Sequence, residues 1–281
     1  MTRFRKGVGR VASRRARAGM RIDVGHLWLR RGRIDKAIDQ LTRAHQDLAT
    51  TADLELLAMA RCRLAEARLL TGAVDEAGRL AATAIDTARQ AASPWALPQA
   101  LAVALRHARV TSDLGRLRRL VDDATVLWRR HRADPHAASL GVQLSLGLLE
   151  LGAEDEAATT LRIASALAPE DPHDRLILAL ARVATQARAG RLDIRAAERI
   201  LERARALDLQ HLVRISLGFA IRWSKPGRHR QLQRYIQQAR KVGDHYGACW
   251  LGVASEGGSA PRRQARRLGY LAMAAGRPLP A

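Results

Sequence analysis

The sequence predicts an all-α protein, an α-α superhelix (solenoid) of about six helical hairpins with basic terminal extensions. Three observations favour this fold class. Glycines recur at steps of 37 to 43 residues, a stripe of small and aliphatic residues follows most of these glycines at helical spacing, and no segment alternates apolar with polar residues as a strand does. Repeats of about 20 to 50 residues are typical of solenoids, in which each unit packs mainly on its neighbours.

The recurring glycines mark the turns of the predicted hairpins. Each lies between two helix-like stretches, where a tight turn favours a residue without a Cβ atom. These glycines are Gly32, Gly72, Gly115, Gly152, Gly190 and Gly227. At 5, 9 and 12 residues after most of them the sequence has Ala, Leu or Ile, and because these offsets lie four and three apart, the residues share one helical face. The fifth unit fits when its frame is shifted by two residues.

In every unit except the fifth, the helix before the glycine carries a small residue seven positions upstream, which lets the two helices of a hairpin approach closely. These small residues are Gly25, Ala65, Ala108, Ser145 and Ala220. Helix starts are indicated independently by Ser93-Pro94, Asp134-Pro135 and Asp171-Pro172, in which an N-cap side chain precedes a proline at the first helical position. The prolines are 41 and 37 residues apart, which matches the steps between glycines.

These features resemble the tetratricopeptide repeat family in its long-repeat bacterial form. The residues that carry the resemblance are Leu144, Ser145, Gly152, Ala157, Leu161, Ala164 and Pro169 in the best unit, and Trp28 and Trp223 in the first and sixth units. The resemblance covers about residues 20–244. It implies stacked hairpins whose first helices line a concave, peptide-binding surface. An irregular array of another helical-repeat class is the alternative.

Positive charge is concentrated at the two ends of the chain. The net charge is +21, residues 1–22 hold eight basic and no acidic residues, and residues 222–281 hold twelve basic and two acidic residues. Such a surplus attracts nucleic acid, anionic surfaces or acidic proteins. We therefore expect a basic N-terminal arm (1–21), a repeat domain (22–244) and a C-terminal part made of a helix, a Gly-rich linker and a basic tail (245–281).

Basic side chains at both ends are the candidates for anion binding. At the N-terminus they step by three or four residues, so a helix would present them as one stripe. The candidates are Arg3, Lys6, Arg10, Arg14, Arg17 and Arg21, and then Arg262, Arg263, Arg266 and Arg267. Arginines alone would bind nucleic acid or an anionic surface without sequence choice, and no helix-turn-helix is recognised. A solvated arm is the alternative interpretation.

The resemblance also implies which residues line the concave surface. On each first helix we take the residue three before the small position and the residue just after it, because these two are four apart and share one face. The peptide-groove candidates are Ile22, His26, Cys62, Glu66, Leu105, Arg109, Val142, Leu146, Arg182, Gln186, Leu217 and Ile221. A mixed strip of this kind suits a protein or peptide partner. For each residue, a place in the core between repeats is the alternative.

No set of side chains predicts catalysis, a metal site or a cofactor. His245 and Cys249 lie at i,i+4, but no third orienting group or oxyanion site accompanies them. The acidic and histidine residues of 170–174 also suit a helix N-terminus. The sequence contains no Walker-type phosphate loop and no dinucleotide-binding motif. We therefore expect a protein that is not an enzyme.

The sequence thus predicts a non-catalytic protein–protein interaction scaffold or adaptor. The alternative is a nucleic-acid-associated regulator, a freestanding relative of the sensor half of a bacterial transcription activator. No apolar run reaches the roughly 18 residues of a membrane span, and no secretory signal is recognised, so the expected location is the cytoplasm.

Overall fold

The computed structural model describes residues 14–134, 137–167, 171–188, 193–223, 229–256 and 259–274. Within these ranges the chain forms fifteen α-helices and no β-strand, which confirms the predicted all-α superhelix. Six hairpins follow one another: α1 (Arg14–Arg30) and α2 (Ile34–Leu48), α3 (Leu54–Thr71) and α4 (Val74–Gln90), α5 (Ala96–Val110) and α6 (Leu114–His131), α7 (Ala138–Glu150) and α8 (Glu154–Ala166), α9 (Pro172–Arg188) and α10 (Ile194–Ala206), α11 (Gln210–Trp223) and α12 (His229–Lys241). After them come α13 (His245–Glu256), α14 (Ser259–Arg267) and α15 (Leu271–Ala274).

The second helix of a hairpin buries the stripe that the sequence predicts. On α2, Ala37, Leu41 and Ala44 are fully buried. The small residue on the preceding helix makes room for this stripe, since a Cβ atom on Gly25 would lie 2.6 Å from Leu41 Cγ. Close packing of the two helices therefore explains why the position seven residues before the turn is small.

Glycines form three of the predicted hairpin turns. The turns after α1, α3 and α7 have a glycine in the left-handed conformation, namely Gly32, Gly72 and Gly152. Gly115 departs from the prediction, because it lies inside α6 while Ser112 takes the left-handed position with a φ of 55°. The Asp113 side chain then caps α6 by accepting a hydrogen bond from the Arg116 backbone N–H at 2.9 Å. The predicted turns at 190 and 227 lie outside the described residues.

Two of the predicted helix starts are visible. Helix α9 begins at Pro172, and Asp171 Oδ1 accepts a hydrogen bond from a backbone N–H of its first turn at 2.8 Å. Ser93 Oγ accepts from the Ala96 backbone N–H at 3.0 Å, and α5 begins there, two residues later than predicted. Pro135 lies outside the described residues. The capping side chains thus set the starts of these helices.

The superhelix completes one turn after five hairpins, and the helices that follow pack on the first ones. Helix α11 contacts α1, α13 contacts α3, and α15 contacts α5. We call α1–α10 the first turn and α11–α15 the second turn. The two turns are joined by backbone as well as side chains, since the Val242 carbonyl oxygen accepts from the Ile34 N–H at 3.1 Å. The second turn therefore stacks on the first.

Both ends of the described chain belong to this stack. Helix α1 begins at Arg14, and Ala18 is fully buried, so the first hairpin starts upstream of the expected boundary at residue 22. Near the other end, Tyr270 and Met273 are buried. Among the described helices, none is both long and apolar enough to cross a membrane.

Candidate functional site

The first helices of all six hairpins border one central cavity of about 140 Å³. Apolar side chains such as Leu29, Leu70 and Ile177 form part of its wall. The polar and charged lining comes from every first helix in turn. These polar and charged residues include His26 and Arg30 of α1, Arg63 and Glu66 of α3, Arg106 of α5, Gln143 of α7, His173 and Asp174 of α9, and His211 of α11.

Two arginines hold a carboxylate at the cavity wall. Arg106 Nη1 lies 2.7 Å from Glu66 Oε1, and Arg63 Nη1 lies 3.4 Å from Glu66 Oε2. Burial alone would raise the pKa of the Glu66 carboxyl, but Arg106 and Arg63 hold that pKa well below its usual range. Glu66 is therefore ionised at neutral pH and fixes both guanidinium groups.

A second ion pair links the first hairpin to the fifth across the cavity. Arg30 Nη1 lies 2.6 Å from Asp171 Oδ2, and Arg30 Nη2 lies 3.4 Å from Asp174 Oδ1. His173 Nδ1 is 3.0 Å from Asp174 Oδ1. Burial favours the neutral form of Asp174, yet the hydrogen bond from His173 and the nearby charges lower the pKa of this carboxyl. These contacts hold α1 against the start of α9.

His26 is a neutral member of the cavity wall. Burial, together with the positive charge of Arg63, lowers the pKa of its imidazole to about 3. At neutral pH the ring therefore carries no charge and offers one donor and one acceptor.

A buried cluster supports His211 from the second turn. Asp244 Oδ2 accepts hydrogen bonds from Arg214 Nη1 at 2.7 Å and from His211 Nδ1 at 3.0 Å. Asp244 Oδ1 accepts from the Gly247 backbone N–H at 2.8 Å, which caps α13. Burial alone would raise the pKa of Asp244, but His211 and Arg214 hold it well below its usual range. The cluster fixes the imidazole, with Nε2 as its remaining nitrogen.

Several buried polar atoms of the lining residues have no hydrogen-bond partner. Arg106, Gln143 and His211 are each at most 8% exposed. The atoms are Arg30 Nε, Arg63 Nε, Arg106 Nε, Gln143 Oε1 and His211 Nε2. Buried polar groups are normally paired, and an unpaired one costs about 1–3 kcal/mol. Five such atoms belong to residues that line this one cavity.

The structure brings together only some of the predicted groove residues. His26, Glu66 and Val142 line the central cavity. Leu146 lies beside Val142 at a second, much smaller cavity, and Ile221 packs on the core. The residues that are buried instead are Ile22, Cys62, Leu105, Arg109 and Leu217. Arg182 and Gln186 are exposed on α9, away from the cavity.

The reason for this departure is the oblique path of the cavity. It borders α1 near its C-terminal end, at Arg30, and α9 near its N-terminal end, at His173. The first helices of successive hairpins are displaced along their own axes as the solenoid winds. Residues at the same position of the repeat therefore do not face the cavity in every unit. One signal was present in the sequence, because Arg63, Arg106 and Gln143 each lie two residues before the small position of their unit.

The predicted anion-binding residues do not form one surface among the described residues. Arg14 Nη1 donates to Thr50 Oγ1 at 3.1 Å, and Arg21 forms an ion pair with Asp47. Arg17 is half-buried on the same helix. The four arginines of α14 are exposed, namely Arg262, Arg263, Arg266 and Arg267. The candidates that lie outside the described residues are Arg3, Lys6 and Arg10.

Comparison with solved structures shows a similar fold. A Rap protein complexed with competence and sporulation factor superposes with a TM-score of 0.62 over 92% of this chain and 72% of that chain, at 14% sequence identity. No protein-family model matches this chain, and a search of curated proteins finds no match either. The structural similarity supports a helical-repeat protein.

Proposed function

We propose that this protein is a non-catalytic interaction scaffold of tetratricopeptide type that binds a peptide or protein segment at its central cavity. The observation that carries the proposal is the convergence of all six first helices on one cavity with unpartnered buried polar atoms. Arg106, Gln143 and His211 line the cavity, and each is more than nine-tenths buried. Together these side chains offer hydrogen-bond donors and acceptors, and a peptide main chain carries both kinds of group as well.

The fold comparison is compatible with this proposal. The similar Rap protein was solved in complex with competence and sporulation factor, so a solenoid of this architecture accommodates a ligand of that kind. The alternative from the sequence, a nucleic-acid-associated regulator, receives no support from this comparison. Two arginines of the N-terminal stripe, Arg14 and Arg21, are moreover engaged with α2 and the turn after it.

The test uses a variant that fills the cavity from its rim. Ser139 is exposed at the start of α7 and lines the cavity, so Ser139→Trp adds bulk there without overpacking the core. Thr159 is an exposed residue of α8, the second helix of the same hairpin. Thr159→Trp is therefore the matched control.

A phage-displayed library of random linear peptides is selected against the wild-type protein. Peptides enriched by the wild type should be retained by Thr159→Trp and lost by Ser139→Trp, with both variants keeping the wild-type thermal unfolding profile. Equal retention by Ser139→Trp would place binding outside the cavity. No enrichment above a protein-free selection would contradict the proposed function.

A further inference from the structure

Arg63 and Arg106 approach the central cavity from successive first helices and share one carboxylate. Their guanidinium groups lie 3.4 and 2.7 Å from the two oxygens of Glu66. Asp23 also acts on Arg63 electrostatically, but from an exposed position where water and salt screen it. The two arginines therefore carry one positive charge more than the carboxylate between them.

The unpartnered atoms around this pair have two different requirements. Arg63 and Arg106 each have a buried Nε–H without an acceptor. Gln143 Oε1 is an acceptor that lacks a donor. A simple anion supplies acceptors only and would leave Gln143 Oε1 unmatched. A carboxylate attached to amide N–H groups satisfies both requirements.

The size of the cavity limits what enters it. A volume of about 140 Å³ is below the roughly 300 Å³ at which pockets for whole drug-sized ligands begin, so one or two side chains fit and a whole segment does not. One residue of the segment is therefore anchored, and the flanking chain lies across the rim. The net charge of +21 steers an acidic segment towards the protein.

We propose that the bound segment is acidic. The carboxylate of an internal Asp or Glu accepts hydrogen bonds from Arg63 and Arg106, and a main-chain N–H group beside it donates to Gln143 Oε1. This inference rests on the proposed function and names the chemistry of its ligand. Charge-assisted hydrogen bonds to guanidinium groups are about twice as strong as neutral ones, so the acidic side chain gives the site its specificity.

The probes are fluorescein-labelled pentapeptide pools with acetylated and amidated ends and random flanking positions. One pool has Asp or Glu at the centre, and the matched pool has Asn or Gln, which keeps the shape and removes the charge. A third pool has a central Ala and a free terminal carboxylate. Affinities are measured by fluorescence anisotropy at 150 mM salt, where long-range attraction is screened. The acidic pool should bind about tenfold more tightly than the amide pool.

The key variant is Arg106→Lys, which keeps a positive charge beside Glu66 and removes the Nε–H. It should erase most of the preference for the acidic pool and leave the amide pool unchanged. Arg63→Lys provides the same test from α3 if Arg106→Lys unfolds at a lower temperature. The matched control is Arg118→Lys on the exposed face of α6, which should keep the full preference.

Each contrary outcome has a separate meaning. Equal affinity for the acidic and amide pools, with both lost in Ser139→Trp, would overturn the acidic ligand and leave the proposed function intact. A preference retained by both lysine variants would overturn the assignment to Arg63 and Arg106. Tightest binding of the third pool would overturn the internal side chain in favour of a chain terminus. Absence of binding by every pool would contradict the proposed function itself.

Discussion

The Tyr270 hydroxyl donates a hydrogen bond of 2.8 Å to the backbone carbonyl oxygen of Leu69, which lies 201 residues earlier in the chain. It also lies 3.1 Å from the Leu70 carbonyl oxygen. Both carbonyls belong to the last turn of α3, and the Leu69 carbonyl oxygen also accepts a long hydrogen bond of 3.4 Å from the Gly72 backbone N–H. Tyr270 is fully buried, so this side chain caps α3 and attaches the second turn of the solenoid to the first.

Tyr270→Phe should lower the free energy of unfolding by about 1–2 kcal/mol, because it removes the hydroxyl donor from two buried carbonyl oxygens. Urea denaturation followed by circular dichroism measures this difference. Tyr235→Phe is the control, since the Tyr235 hydroxyl is only half-buried and accepts from the exposed Arg205 at 3.1 Å. The control should change stability by less than about 0.5 kcal/mol. Equal effects of the two substitutions would mean that Tyr270 does not join the turns.

Two turn glycines should differ in how well they accept alanine. Gly32 and Gly152 both have a positive φ, of 63° and 85°. A Cβ atom on Gly152 meets nothing within 4 Å, whereas one on Gly32 lies 2.8 Å from Arg214 Nη1 and 3.0 Å from the backbone nitrogen of His211. Gly152→Ala should therefore cost only the left-handed strain of about 1–2 kcal/mol. Gly32→Ala should cost about 1–3 kcal/mol more, because it also separates the two turns.

Thermal and urea unfolding of the two alanine variants check this order. Arg214 cannot simply move away from a new methyl group at position 32, since it is buried and bound to Asp244 at 2.7 Å. Similar losses of stability in both variants would contradict the close approach of the second turn.

The repeat architecture follows from local patterns and could be predicted. Glycine spacing, capping residues and the stripe of small residues each act within one hairpin, so Ala37, Leu41 and Gly25 reveal their contacts in the sequence. The closure of the superhelix could not be predicted this way. It depends on small rotations that accumulate over five hairpins, and residues such as Tyr270 have no local pattern that indicates their distant partner.

The cavity was predictable only in outline. A fixed register finds His26, Glu66 and Val142, and the oblique path of the cavity leaves the equivalent residues of other units in the core or, in the fifth unit, exposed to solvent. His211 joins the site because Asp244, 33 residues later, orients it. Only the three-dimensional packing of α11 and α13 brings this pair together.

The rates at which the two cysteine thiols react should measure the local stability of the two turns separately. Burial raises the pKa of Cys62, on α3, to about 12 and that of Cys249, on α13, to about 11. Both thiols should therefore react with Ellman's reagent at pH 8 at least about 100-fold more slowly in the folded protein than in guanidinium chloride. Tyr270→Phe should accelerate Cys249 more than Cys62, because it loosens the second turn. Cys62→Ser and Cys249→Ser assign the two rates, and equal acceleration of both would indicate global unfolding instead.

The free energy of unfolding should decrease in acid. Asp244 has a folded-state pKa well below its usual range, because His211 and Arg214 outweigh the burial that would raise it. A carboxyl whose pKa is lowered by folding stabilises the protein above its unfolded-state pKa of about 3.9, and this contribution is lost as the pH falls further. Glu66 behaves in the same way, so wild-type stability should fall below about pH 4.

Asp244→Asn distinguishes the contribution of Asp244 to stability from that of Glu66. At pH 7 it should cost about 3–5 kcal/mol, because it leaves Arg214 charged and buried without its counter-ion. The difference from wild type should narrow as the pH falls from about 4 towards 3, because Asp244 of the unfolded wild-type chain gains a proton there while the folded carboxyl stays ionised, and Glu66 affects both proteins equally. Urea denaturation at a series of pH values measures this difference. Asp39→Asn removes an exposed carboxylate that lies 2.9 Å from Arg43 and should cost less than about 1 kcal/mol at every pH. A difference between wild type and Asp244→Asn that stays constant down to pH 3 would show that the Asp244 carboxylate does not stabilise the folded state through its charge.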